Sequence, residues 1–292
     1  MRSSIRNGVI ISLLCAIAYG IYPPASQKAY ADGANSIFVI IVSTFCRAFI
    51  MAIMCWATRQ SLLPRRTDIR PILTGGFFQS LSIFGIIASL EYIPGPIMIT
   101  IVFTHTIMLL FFMAFRGEAK LSTLAVTTTL CALFGIALVV DVFGNFGGLN
   151  LIGVGLAFMA ALATTSRLYV YGQQVKSTSP PVLGTQVFSV AFIFILVLPF
   201  FRTPTLPHSL AGFGWLGLSS LSLSLGTLGM FYGISMLGSF RYSLLLKLEP
   251  VCTAIFSILI LGEVLAMRQY VGMALVIVSL GAFQYLSNRS VV

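Results

Sequence analysis

Four side chains with hydrogen-bonding or charged heads stand inside stretches otherwise built from Leu, Ile, Val, Phe and Ala: Arg47, Gln79, His105 and Glu249. Holding a charge in a membrane interior costs kilocalories, so such a group faces protein and has a partner or a task. Arg47 presents a planar fork of donors, which suits a carboxylate or other anionic group of a substrate; the competing reading is an ion pair with Glu249. Glu249 either carries a coupling proton or forms a salt bridge with Arg47 or Lys247. His105, flanked by Thr104 and Thr106, either meets a substrate or proton or is bonded to a neighbouring helix, and Gln79 faces the same choice. Tyr19 and Tyr232 add a hydroxyl and a flat face to which a planar solute could stack. These six residues are the candidate substrate-binding set.

Catalytic and metal chemistry find no footing. The chain has no HExxH, no GxSxG and no paired carboxylates at helical spacing, so no enzyme activity is expected. All five cysteines (Cys15, Cys46, Cys55, Cys131 and Cys252) fall in apolar runs without a CxxC spacing, which points to neither a metal site nor a disulfide framework. No cofactor is expected. A channel would need a repeated pore element or a ring of charges, and one chain shows neither.

The elements that position the six residues follow from composition. Only 8% of the 292 residues are charged and 58% are hydrophobic, against roughly 25% charged in a soluble domain. Apolar runs long enough to cross about 30 Å of hydrocarbon recur along the chain, near 8–29, 35–58, 70–90, 95–115, 122–141, 150–172, 181–201, 210–236, 241–261 and 267–287. The sequence predicts an all-α membrane protein with ten transmembrane helices. Turn residues separate them, as at 31–35, 93–96, 143–148 and 177–181. The first run lacks a small-x-small cleavage site and reads as a retained helix. At 1.5 Å per residue, Arg47 lies about 18 Å from the outer start of its helix and Glu249 about 12 Å from the inner start of its own, so both fall near mid-depth.

The net charge of +10 is scattered between spans, which excludes a nucleic-acid stripe and fits topogenic charge. With a cytoplasmic N-terminus, eleven Lys and Arg lie inside (Arg2, Arg6, Arg59, Arg65, Arg66, Arg70, Arg116, Lys120, Lys176, Arg241 and Arg289). Three lie outside (Lys28, Arg202 and Arg268). Both termini are therefore expected in the cytoplasm. Arg167 and Lys247, nearer the cytoplasmic edge, are expected to snorkel.

Arg116-Gly117-Glu118 and Leu261-Gly262-Glu263 lie 145 positions apart, each after an apolar run. Gly8/Gly153, Val9/Val154, Ala16/Ala161 and Ala18/Ala163 match at the same offset. Five spans per half reverse the chain's starting side, so residues 146–292 enter the membrane upside down relative to residues 1–145. The two units are expected as inverted repeats enclosing a site at mid-depth, where one half can rock against the other. Glu118 and Glu263 are expected to close tight turns at helix ends. Pro250, and Pro23-Pro24, are expected to kink their helices.

The run Leu248-Glu249-Pro250 through Leu261-Gly262-Glu263, with Arg268-Gln269 and Gly272 after it, resembles the C-terminal part of an EamA-type repeat of the drug/metabolite transporter superfamily. A diverged first copy runs from Ile93-Pro94-Gly95-Pro96 to Gly117-Glu118, with Phe103-Thr104-His105 where the second has Leu248-Glu249-Pro250. The resemblance covers essentially the whole chain. It implies ten helices in two inverted five-helix repeats and movement of a small organic metabolite, such as an amino acid or vitamin, across the bacterial inner membrane. The expected partners are that metabolite and the lipid bilayer, with no nucleic acid, and the chain itself as monomer or homodimer.

Overall fold

A computed structural model describes residues 2–61, 69–89, 92–93, 95–118, 122–140 and 150–289. Arg65, Arg66, Lys120 and the turn at 143–148 lie outside the described residues. Among those described there is no strand. Twelve α-helices follow one another: α1 (Arg2–Ala31), α2 (Ser36–Ala57), α3 (Ile69–Ser89), α4 (Gly95–Phe103), α5 (His105–Phe115), α6 (Thr123–Val139), α7 (Leu151–Gln174), α8 (Pro180–Ile195), α9 (Leu210–Leu237), α10 (Ser239–Leu245), α11 (Glu249–Leu261) and α12 (Met267–Arg289). Helices α4 and α5 are two parts of one span, and α10 and α11 are two parts of another. The count of ten spans holds.

Seven of these spans are long and apolar enough to cross a membrane, and Thr123–Val139 and Met267–Phe283 are apolar but shorter. Polarity is distributed as lipid demands. Large apolar side chains point outward in mid-helix, with Ile193 and Val278 both 66% exposed, while Ser and Thr hydroxyls turn inward. Many of those hydroxyls bond back to a carbonyl one turn earlier, as Thr129 does to Ala125 and Ser224 to Ser220. Asn35, Ser122, Asn150 and Ser209 cap α2, α6, α7 and α9 by accepting a first-turn N–H. Despite Pro23 and Pro24, α1 continues without interruption to Ala31.

The repeat is visible in the backbone. Helices α5 and α11 both end on a glycine with φ +73°, Gly117 and Gly262, 145 positions apart. A left-handed residue there satisfies the last helical carbonyls at no Cβ penalty. The helix packing is symmetric under exchange of halves. Helix α1 lies along α9 and α11, as α7 lies along α3 and the α4–α5 span. Helix α2 touches α9 as α8 touches α3, and the pairs α2–α8 and α6–α12 join equivalent helices on the pseudo-twofold axis. The last pair crosses at Gly135 and Gly272, where a Cβ on either would come within about 3 Å of the other helix's backbone.

Nearly all the close packing runs between the halves. The halves therefore interlock, and the expectation of one half rocking on the other gives way to two mixed bundles: α1 with α9, α10 and α11, and α7 with α3, α4 and α5. Loops tie the ends. On one face Asp32 accepts from the Ser209 N–H and hydroxyl, both at 2.8 Å, and Asn35 donates to the Thr203 carbonyl at 2.8 Å. On the other face the Ser179 hydroxyl donates to the Gln60 side chain. The Ser209 N–H, then its hydroxyl, hold the Asp32 carboxyl below its usual range.

Candidate functional site

Two breaks define the centre. The first repeat's fourth span stops at Phe103 and resumes at His105. The second repeat's stops at Leu245, passes through a 3-10 turn at Leu246–Leu248 and resumes at Glu249. Thr104 and Glu249 are 145 positions apart, so the breaks are equivalent. Each frees backbone groups at a depth where nothing but protein or trapped water can bond them. The first break leaves the Phe103 carbonyl without its helical partner, and Lys247 supplies one: its Nζ donates to that oxygen at 2.9 Å and lies 5.3 Å from the Phe103 ring centre. Lys247 is fully buried. The second break is eased by Pro250, which sits in the first turn of α11 where its missing N–H is no loss. The Leu246 carbonyl, four positions before this proline and so denied its usual helical donor, accepts from the Glu249 N–H through the 3-10 turn.

Polar side chains fasten this crossing. His105 is buried, its Nδ1 2.8 Å from the Val102 carbonyl and its Nε2 3.0 Å from the Ser243 hydroxyl. The hydroxyls of Thr106 and Ser243 are 2.7 Å apart, and Thr165 of α7 donates to the His105 carbonyl at 3.3 Å. Through its ring and its backbone carbonyl, His105 on α5 thus joins α10 and α7 of the second repeat.

A second polar group flanks the crossing. Arg47 is 7% exposed; its Nε donates to the Ser43 carbonyl and an Nη to the Thr44 hydroxyl, both at 3.1 Å. Its guanidinium carbon stands 4.7 Å from the centre of the Phe188 ring on α8. On α7, Arg167 donates an Nη to Gln79 Oε1 at 3.1 Å, and Tyr171 donates its hydroxyl to the same oxygen at 3.2 Å. The rings of Tyr171, Phe231 and Phe188 continue from there to Arg47, with centroids 5.0 and 6.4 Å apart. Tyr19 donates to the Thr227 hydroxyl at 3.1 Å across α1 and α9, against Gly226, where a Cβ would sit 3.0 Å from the tyrosine ring. Tyr19, Tyr22 and Glu249 are half-buried; Tyr19 and Tyr22 are within electrostatic reach of Arg47, and Tyr22 also of Glu249. Arg167 is within electrostatic reach of Arg47 and Glu249.

The EamA-like transporter family model matches residues 6–141 and again 151–283, one match per repeat. The chain belongs to the EamA-like transporter family. It is thus a multi-pass membrane protein of a transporter family in the drug/metabolite superfamily. A solved structure described as "Crystal structure of protein" has the same fold, with a TM-score of 0.78 over 96% of this chain and 99% of that one at 15% identity. No curated protein matches the sequence.

Within this EamA-like chain, Tyr19 and Arg47 are within electrostatic reach of each other and of Arg167, which bonds Gln79 and reaches Glu249, while His105 holds the crossing of the breaks. Tyr232 lies half-buried on α9, and among the described residues none of the bonds or ring contacts above reaches it. The Arg47–Glu249 and Lys247–Glu249 salt bridges are not formed, and Arg47 is held by α2 itself. Sequence reasoning missed Arg167 and Lys247, both expected to snorkel; instead both turn inward. Arg167 carried one signal, the lack of any carboxylate within four positions; Lys247 carried none, since Glu249 stands two positions on. It also missed Tyr171 and Ser243, which nothing in the sequence distinguishes from other buried hydroxyls. Glu118 does close a turn, and in addition accepts from Tyr169 at 2.6 Å and Gln173 at 2.7 Å on α7. The Tyr169 bond, foremost, keeps its carboxyl below the usual range.

Proposed function

We propose that the protein is a secondary transporter that moves a small organic metabolite, such as an amino acid, vitamin or similar solute, across the bacterial inner membrane by alternating access. The observation that carries this reading is the crossing of two equivalent broken spans in a two-fold bundle, beside the buried polar side chains Arg47, Gln79 and His105. Broken helices expose backbone dipoles and polar side chains where a solute is bound, and pseudo-symmetry provides two mirror-related arrangements of the same contacts. The moving bodies are the two mixed bundles, α1 with α9 to α11 and α7 with α3 to α5. The two bodies meet where the Ser239 hydroxyl of α10 donates to the Leu168 carbonyl of α7, a contact that is released as that end opens. Tyr19, Arg47, Gln79 and Glu249, joined by Arg167, touch the solute. His105 transmits movement between the breaks, and Tyr232 is a peripheral contact. Both termini lie in the cytoplasm, because that orientation puts the basic loops inside.

The test needs no foreknowledge of the solute. Purified protein in liposomes loaded with an unlabelled bacterial metabolite extract is placed in the same extract labelled with a heavy carbon isotope, and exchange is followed by mass spectrometry. A carrier exchanges one or a few solutes saturably and shows counterflow. Fast flux without counterflow means a channel, and chemical conversion of an extract component means an enzyme; either would refute the reading.

A further inference from the structure

Helices α1 and α9 run antiparallel, and a ladder of contacts fixes their register. A Cβ on Gly229 would meet the Cys15 sulfur, Tyr19 bonds Thr227, and further on Ala29 packs in one buried cluster with Leu216. Ser26 stands two turns after Tyr19 and Ser220 two turns before Thr227, so the two serines face each other across the seam. They are 2% and 1% exposed, and neither hydroxyl has a hydrogen-bond partner among the described residues. Other hydroxyls on these helices behave differently. Ser12 on α1, and Ser224 and Thr227 on α9, bond back to a carbonyl four positions earlier. Burying a hydroxyl without a partner is costly, and two that face one another mark a place where something small bonds both.

The other repeat fills the equivalent place with a side chain. The positions 145 on from Ser26 and 145 back from Ser220 are Tyr171 and Gly75. The Tyr171 ring lies 3.1 Å from where a Cβ on Gly75 would stand, and its hydroxyl reaches Gln79 at 3.2 Å. One seam thus holds a phenol, and the other sets two short hydroxyls at the same level. Towards the loop between α1 and α2 the serines are covered by the apolar cluster of Ala29, Leu216 and Trp215. Towards the middle of the helices Tyr19 closes against Gly226. An occupant must be of very few atoms and must both donate and accept, as each serine does.

We infer that water is held between Ser26 and Ser220 as a permanent part of the fold. The Tyr22 hydroxyl, close to Ser26, supplies a third partner, the number that a buried water commonly has. Pro23 and Pro24 lie just before Ser26 on α1 and lack the N–H that would bond one turn back. The hydrated level is therefore also where that helix is least tied to itself.

X-ray hydroxyl-radical footprinting after rapid mixing into water enriched in heavy oxygen tests the inference. Radicals formed from trapped water add ordinary oxygen to a nearby tyrosine ring, whereas those from bulk water add the heavy isotope. Tyr22 should gain mostly ordinary oxygen at the shortest mixing time, and Tyr270, 49% exposed, mostly heavy oxygen. Leu216 is only 4% exposed and should be oxidised in spite of its burial. Ser26→Tyr combined with Ser220→Gly copies the Tyr171–Gly75 arrangement into this seam. The double variant should melt no lower than the wild type and lose the Leu216 oxidation and the ordinary-oxygen signal at Tyr22 severalfold. Equal isotope content at Tyr22 and Tyr270, an unoxidised Leu216, or signals unchanged in the folded double variant would overturn the inference. So would a melting point raised by sodium over choline in the wild type but not in the double variant, which would put a cation at the site. Where the double variant does not fold, Tyr22 and Leu216 of the wild type decide.

Discussion

Helices α1 and α9 form the same pair as α7 and α3, 145 positions displaced, yet the two pairs carry different chemistry. The register agrees to the residue. The Tyr19–Thr227 hydrogen bond of the first pair corresponds to the bond between Thr164 and Ser82 in the second, whose hydroxyls are 2.7 Å apart. Around these bonds the side chains have diverged: Tyr22, Ser26 and Ser224 in one pair stand where Arg167, Tyr171 and Gln79 stand in the other. The breaks have diverged likewise, with Thr104 opposite Glu249 and Phe103 opposite Leu248. Duplicated packing preserves the two-fold symmetry of the bundle, while substituted side chains make the two pairs chemically unlike.

The largest expected effect comes from erasing that difference. Arg167→Tyr gives α7 the side chain that α1 carries at Tyr22, and metabolite exchange in liposomes should fall roughly 10- to 100-fold, the loss of charge-assisted hydrogen bonds. The folded protein should still purify as a monodisperse species; undiminished exchange would show that the chemical difference between the pairs is irrelevant. Next in size is Lys247→Met. It removes the donor that satisfies the Phe103 carbonyl and leaves that oxygen orphaned, at a cost of about 1–3 kcal/mol read as a lower unfolding temperature in detergent. The equivalent edit in the other break region, Thr104→Ala, removes a bond only to its own helix at Ile101 and should cost well under about 1 kcal/mol. Equal costs would contradict the asymmetric crossing.

How much of this was legible beforehand depends on what each feature rests on. The ten spans and the repeat were legible because hydropathy and the Gly117 and Gly262 turns are local properties of the sequence. Arg47, Gln79 and Glu249 were legible as groups too polar for lipid. The interlocking of halves was not, because the sequence reveals an internal duplication but not which duplicated faces pack together. The break at Thr104 was missed since neither proline nor glycine marks it; tertiary bonds from Ser243, Lys247 and Thr165 hold it. Arg167 and Lys247 were assigned to the membrane edge on distance along the helix alone, and Gln79 and the Phe103 carbonyl draw them inward instead.

A smaller effect is expected from Glu249→Gln. It keeps the shape of the side chain and removes its charge, so any dependence of exchange on a proton gradient should vanish; unchanged dependence would leave Glu249 with the substrate alone. The smallest belongs to Asp32→Asn at the outer contact. The Asp32 carboxyl is held below its ordinary value by Ser209, so its contribution is whole at neutral pH and fades as pH falls through the lowered folded-state value. The variant should melt slightly below the wild type at pH 7 and match it in strong acid. A gap that persisted in strong acid would mean that the charge is not what holds the loop.

The central claim is that the bundle opens at its two ends in turn around the crossed breaks. With the native cysteines replaced, cysteines at 172 on α7 and 239 on α10, one in each mixed bundle, can be joined by oxidation, since a Cβ on Gly172 would meet the Ser239 hydroxyl. Exchange of labelled extract should drop to background once the bridge has formed and return on reduction. Full exchange through completely cross-linked protein would contradict the account.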